Sequence, residues 1–203
     1  MSKQIFQNSI INAIQGFVEM FKDEDPDIRQ AGITLLGQVA QYEWLQDMIK
    51  DGVPQLVDMF DDSSWWIRQE AVVTFGQLAQ HGQCFLEWLR NTIKEAIPQL
   101  VAKLQDSDID VRRASSAALG RLAHHESLRN MIKSTIPRLI EMVKDSRYGP
   151  REGSAAAFGK LAQHDWLLDH VEDVIPHLMG MLRDSYWGVR ESAILVFKEL
   201  AQR

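Results

Sequence analysis

Five arginines recur along this 203-residue chain, at Arg29, Arg68, Arg112, Arg151 and Arg190, separated by 39, 44, 39 and 39 residues. Each carries the same surroundings. An aspartate lies six residues earlier, at Asp23, Asp62, Asp106, Asp145 and Asp184. An alanine lies eleven residues later, at Ala40, Ala79, Ala123, Ala162 and Ala201. A fixed period near 40 marks a repeat array, in which a unit buries its apolar face only against its neighbours. Five units, at about 4–42, 43–81, 82–125, 126–164 and 165–203, account for a single array over residues 1–203. They leave no room for a separate catalytic domain.

Residues Ser127 to Gln163 show what one unit encodes. Leu128, Met131, Ile132, Ile136, Leu139, Ile140 and Val143 have helical spacing, with charges between them. Pro137 interrupts this run. It lacks a backbone donor, so a kink is expected in the first helix. Pro54, Pro98 and Pro176 hold the same position, and Gln15 replaces them in the first unit. Asp145 and Ser146 are expected to end that helix, and Pro150 to begin the next. Counted from each arginine, offsets +3, +4, +7, +10 and +11 share one face at 100° per residue. In the second unit they are Ala71, Val72, Phe75, Leu78 and Ala79; in the third, Ser115, Ser116, Leu119, Leu122 and Ala123. This is a buried stripe. No segment alternates with period two, so an all-α fold of about ten helices without strands is expected.

Two further columns constrain the packing. Offset +8 holds Gly37, Gly76, Gly120 and Gly159, then Lys198. Glycine inside a helix costs about 1 kcal/mol relative to alanine. Four in register imply close contact between that flank and the second helix of the next unit, with Lys198 facing nothing. The arginines point near the core. A buried guanidinium needs a partner, and the five aspartates are expected to supply a ladder of ion pairs between adjacent units.

The string Asp-x-x-x-x-Val-Arg, then Ala, then Leu-Gly-x-Leu-Ala, preceded by Ile-Pro-x-Leu, resembles the HEAT repeat. Asp106 to Ala123 is the nearest match, and the units with Ile97-Pro98, Ile136-Pro137 and Ile175-Pro176 look like the long HEAT arrays of fungal proteins. The resemblance implies antiparallel helix pairs stacked into an α-α superhelix, the HEAT-repeat (armadillo-like) solenoid, with second helices lining a concave face. It also implies a partner-binding scaffold, since HEAT arrays are only rarely enzymes. Departures are Gln15, Lys198 and five extra residues around Gly82 to Glu87, which are expected to bend the stack locally.

Bulk properties narrow the partners. Net charge is −6 and the pI about 5.5, with no Lys/Arg run. Neither nucleic acid nor an anionic membrane is expected as partner. No apolar window reaches a membrane span, and Met1 to Ile5 does not open a signal peptide. The lone Cys84 excludes an internal disulfide and points to a reducing compartment, the cytoplasm first and the nucleus second. A monomer is expected.

Chemistry-bearing patterns are sparse. Asp106 to Asp110 begins like a calcium loop, but Val111 and Ala117 stand where such loops need glycine and glutamate. His81, His125 and His164 share offset +13, where they are expected to bond helix-end carbonyls rather than a metal. His124 and His125 are expected to diverge. No cofactor and no catalytic residue is expected. Trp44, Trp88 and Trp166 share a column expected in the core. Trp65 and Trp187, in the column of Ile109 and Tyr148, are expected under the inter-helix turn. Trp66 stands in a column of Asp27, Asp110, Gly149 and Gly188, residues suited to solvent, and so is a candidate contact anchor.

Offsets +2, +5, +9 and +12 form the outward ridge of the second helices. On it Arg121 and Lys160 balance Glu70 and Glu199, over small residues such as Ala117, Gly153 and Ala156. The expectation is a neutral groove that binds a protein or peptide, with contacts at Trp66, Gln77, Arg113, Arg121 and Lys160. Two alternatives stay open. One is a HEAT-like enzyme or small-molecule binder acting in the same groove; the other is an engineered or excised array without a physiological role.

Overall fold

A computed structural model of the protein describes residues 16–78, 83–167, 170 and 172–202. The chain divides into two compact parts, Met1–Thr92 and Ile93–Arg203. The first contains helices α1 (Phe17–Met20), α2 (Pro26–Val39), α3 (Gln46–Asp58) and α4 (Trp65–Leu78). Helix α5 (Gln83–Lys103) runs across the division. The second part continues with α6 (Ile109–Ala123), α7 (Arg129–Lys133), α8 (Ile136–Val143), α9 (Tyr148–Leu161), α10 (Ile175–Met181) and α11 (Trp187–Ala201). The described residues form no strand. Each repeat arginine lies in the first turn or two of a second helix: α2, α4, α6, α9 or α11.

The stripe read from the sequence is the core. In α6, Ser115, Ser116, Leu119, Leu122 and Ala123 are all buried, as are Ile33 and Leu36 of α2 and Ala155, Phe158 and Leu161 of α9. The serines are tolerated because each hydroxyl returns a bond to its own helix, Ser115 to the Val111 carbonyl and Ser116 to that of Arg112. In the fifth unit the stripe opens: Ile194 is 57% exposed where its counterparts Ile33, Val72 and Ala155 are at 0%. Lys198 is exposed too, so the charged cap covers only part of that face.

The arginine and the aspartate build the turn between paired helices. The aspartate carboxylate accepts the backbone N–H two residues on: Asp23 from Asp25, Asp62 from Ser64, Asp106 from Asp108, Asp145 from Arg147 and Asp184 from Tyr186. The arginine Nη1 then donates to two carbonyls of the same turn. Arg29 bonds Asp23 and Glu24, Arg68 bonds Asp62 and Ser63, and Arg112 bonds Asp106 and Ser107. Arg151 and Arg190 repeat the pattern on Asp145, Ser146, Asp184 and Ser185. This staple within the unit is absent from the sequence reading, which assigned the arginines to ion pairs alone.

The ladder between units exists in two forms. Arg29 chelates Asp62 through Nε (2.7 Å) and Nη2 (2.9 Å), and Arg151 chelates Asp184 likewise at 2.8 and 2.9 Å. Arg112 departs from the expected register. It bonds Glu152 at 2.6 Å, with both side chains at most 5% exposed, while Asp145 is held by Arg147 of its own turn. Glu152, next to Arg151, reaches back farther than an aspartate and takes the slot. Gly149 and Gly188, expected at solvent, are buried for this reason. A Cβ at Gly149 would meet the Arg112 guanidinium at 3.7 Å, and one at Gly188 would collide with the Glu152 carboxylate.

Other expectations are corrected. Trp44 is 39% exposed and not core, while Trp65 (42%), Tyr148 (45%) and Trp187 (53%) stand outside the turns. Tyr148 stacks on Tyr186 at 4.0 Å instead. Proline does not act uniformly. Pro54 and Pro98 lie inside α3 and α5, whereas Pro137 and Pro176 start new helices in their first turns. Ser134 and Thr135 return their hydroxyls to the Met131 and Ile132 carbonyls and end α7, while Glu95 and Ala96 before Pro98 favour continuation. Pro150 is the third residue of α9, where its missing N–H is still an unpaired helix-end donor. Gln15, Ala79, His81 and Gly82 lie outside the described residues, as do the side chains of Cys84 and Trp88.

The glycine flank is where the register placed it. A Cβ on Gly37 would meet Thr74 of α4 at 3.3 Å, one on Gly120 would meet the Lys160 Cβ of α9 at 2.8 Å, and one on Gly159 would meet Val196 of α11 at 3.6 Å. Gly120→Leu should therefore lower unfolding free energy by about 1–3 kcal/mol in denaturant titrations, because the contact is to a Cβ that cannot swing away. Lys198→Leu should be nearly neutral. A stabilising Gly120→Leu would place that flank in solvent. The ion pairs of the turns and of the ladder also set acid behaviour. Bonds from Arg147 hold Asp145 at about 2, and the Arg151 side chain holds Asp184 below its ordinary range. A lowered folded pKa means stability present above pH ~4 and lost as pH falls toward ~2. NMR titration should find Asp145 half-protonated near pH 2, and at higher pH in Arg147→Ala, though still below the ordinary carboxylate range because the backbone N–H of residue 147 and Arg151 remain.

Candidate binding groove

The second helices of the last three units pack side by side, α6 on α9 and α9 on α11. Their common outward face holds a cavity of about 360 Å³. Its floor is built from Ser116, Gly153, Ala156 and Gly159. A Cβ at Gly153 would collide with the Leu104 carbonyl, so only glycine lets α9 settle onto the end of the preceding first helix. The Ser116 hydroxyl also lies 3.4 Å from the Gly153 carbonyl across the seam.

Charges of both signs line the rim. Arg113 comes from α6, Lys160 from α9, and Glu191 and Glu199 from α11, with Leu195 between the two glutamates. The Arg112–Glu152 pair forms part of the wall. Arg112 spends Nη1 on its turn and Nη2 on Glu152, and its buried Nε has no acceptor. Arg113 approaches Glu191 at 4.0 Å and Asp110 at 3.9 Å, each with roughly half-exposed partners. Such pairs are worth about 0–1 kcal/mol, so the rim charges are available to a ligand.

Of the residues named from the sequence, the structure brings Arg113 and Lys160 together in this cavity. Arg121 lies half-buried farther along α6 and does not line it. Gln77, exposed, and Trp66, 37% exposed and edge-on to Trp65 at 6.2 Å, belong to α4 in the other compact part. There, a separate and more open depression of about 330 Å³ lies on α2, lined by Asp27, Gln30, Ala31, Thr34, Leu35 and Gln38. Glu191 and Glu152 were missed as groove residues. Their signal was available, because they share with Arg113 the offset one beyond the repeat arginine.

Of the three histidines in the offset +13 column, His164 bonds a helix-end carbonyl, and with a partner other than the one expected. His164 Nε2 lies 3.3 Å from the carbonyl of Gly120, near the end of the preceding second helix rather than of its own. Its ring meets that of His124 edge-on at 4.5 Å, a contact between units that the sequence reading did not foresee. Among the described residues no three His, Cys, Asp or Glu side chains are placed to hold a metal, and no helix is long and apolar enough to cross a membrane.

Comparison with known proteins agrees with this architecture. The profile described as HEAT repeats matches residues 97–198, and one described as HEAT-like repeat matches residues 65–122. No curated protein matches the chain. Among solved structures, a designed armadillo repeat protein in complex with the peptide (KR)4 is similar at TM-score 0.65 and 17% identity, over 98% of this chain and 86% of that one. A computationally designed armadillo repeat protein for modular peptide recognition is similar at TM-score 0.57 and 20% identity, over 91% and 81%. An engineered protein is similar at TM-score 0.65 and 17% identity, over 97% and 85%. At these identities the likeness is one of fold, an all-α repeat solenoid.

The two neighbouring arginines of α6 should separate cleanly in thermal unfolding. Arg112→Ala leaves the buried Glu152 unpaired and should cost roughly 3–5 kcal/mol. Arg113→Ala should stay within about 0.5 kcal/mol. Equal losses would contradict the placement of one in the wall and the other on the rim.

Proposed function

Because this chain belongs to the HEAT-repeat family, we propose that it is a binding scaffold that takes an extended protein or peptide segment along the face of its second helices. The groove over α6, α9 and α11 carries this reading. Its floor of Gly153, Ala156 and Gly159 leaves room for a partner's side chains, and its mixed rim of Arg113, Lys160, Glu191 and Glu199 supplies register. Arg113 and Lys160 are the principal contacts. Arg121, farther along α6, contacts the partner beyond the cavity. Gln77 and Trp66 are separate candidate contacts on α4 of the other compact part, where a partly exposed tryptophan is suited to anchoring. The similarity to designed armadillo proteins supports the reading through shared fold; the (KR)4 peptide belongs to one of those proteins.

A blocked groove tests this. Ala156 is half-buried at the centre of the floor, so Ala156→Trp should fill the cavity without unfolding the protein, as checked by circular dichroism. Peptides selected from a random library on the natural protein should bind Ala156→Trp at least tenfold more weakly. Selected peptides indifferent to the substitution, or a library that yields none, would contradict the proposal.

A further inference from the structure

We propose that the groove recognises charge order: an extended segment with an acidic residue over α6 and a basic residue over α11. This rests on the scaffold reading above and adds the chemistry of the partner.

The charges on the three helices are not interspersed. At one residue beyond the repeat arginine stand Arg113, Glu152 and Glu191; at nine beyond stand Arg121, Lys160 and Glu199. Glu152 is consumed by Arg112 inside the wall. The charges left free therefore run from basic on α6, through Lys160, to acidic on α11. Asp110, near Arg113, does not line the cavity, and Lys198 lies on the opposite flank of α11, at the glycine offset. Adjacent helices lie about 8–10 Å apart. Two such steps put the axes of α6 and α11 roughly 16–20 Å apart, and the long side chains of Arg113 and Glu191 reach toward each other over the floor between them.

One further observation favours an acidic group at the α6 end. Arg113 and Glu191 meet each other only at 4.0 Å, with side chains 54% and 55% exposed. A segment of ordered charge replaces that one long pair with two shorter ones, acid on Arg113 and base on Glu191. Between the charges the floor accepts uncharged side chains over Gly153 and Ala156, with Leu195 as the apolar contact.

Fluorescence anisotropy with labelled eight-residue synthetic peptides tests the inference. The set has acidic and basic ends in both orders, a uniformly acidic peptide, a uniformly basic one, and one of the same composition with alternating charges. One of the two ordered peptides should bind at least tenfold tighter than the uniform and alternating ones. Glu191→Lys should weaken that peptide about tenfold and strengthen the uniformly acidic one, and Arg113→Glu should do the reverse with the basic one. Both positions are about half exposed, and circular dichroism verifies that the variants fold. Preference for a uniform or alternating peptide, binding unchanged in both variants, or no binding of the ordered peptides overturns the inference. The scaffold reading is decided separately, by the library selection and Ala156→Trp.

Discussion

The structure depends on a guanidinium group that bonds in two directions. Within its own unit, the repeat arginine gives Nη1 to two carbonyls of the turn between paired helices, in all five units. Toward the next unit, Arg29 gives Nε and Nη2 to Asp62 and Arg151 gives them to Asp184, while Arg112 gives Nη2 to Glu152. A cation partly removed from water is tolerable only when its donors are met. Here the same donors that solve the desolvation problem also fix the turn and the register between neighbours. Planar, forked geometry is what permits both at once, and a lysine could not replace it.

Small residues do the complementary work. Where two second helices meet, Gly37, Gly120 and Gly159 let them approach, and Gly153 lets α9 reach the backbone at Leu104. That approach brings α6, α9 and α11 close enough for one cavity to form over all three. The cavity is thus a by-product of how units stack, and its chemistry is set by the offsets that stacking leaves outside. Arg112 links the two levels. It staples a turn, couples to the next unit and forms part of the cavity wall, so the stacking of units and the lining of the cavity share a residue.

Much of this was legible from periodicity. The buried stripe, the glycine seam and the absence of strands among the described residues follow from which offsets hold small or apolar residues. Exchange of partners was less legible. Asp145 and Glu152 are both carboxylates near the same arginine, and only geometry shows that Arg147 captures the first and Arg112 the second. The aromatic columns misled for another reason. Trp44, Trp65 and Trp187 share positions with apolar residues, yet a large ring at a turn can lie along the surface, so column identity does not imply burial. The groove was half legible: Arg113 and Lys160 were identified, but the acidic helix α11 was not weighed as its opposite wall.

The claim that one side chain couples neighbouring units is open to a direct measurement. A double-mutant cycle on Arg151 and Asp184, by denaturant unfolding of Arg151→Ala, Asp184→Ala and the double variant, gives their interaction free energy. Coupling of about 1–3 kcal/mol is predicted, as for contacting charged residues. Additive losses, with coupling near zero, would contradict it and reduce the arginine to a staple of its own turn.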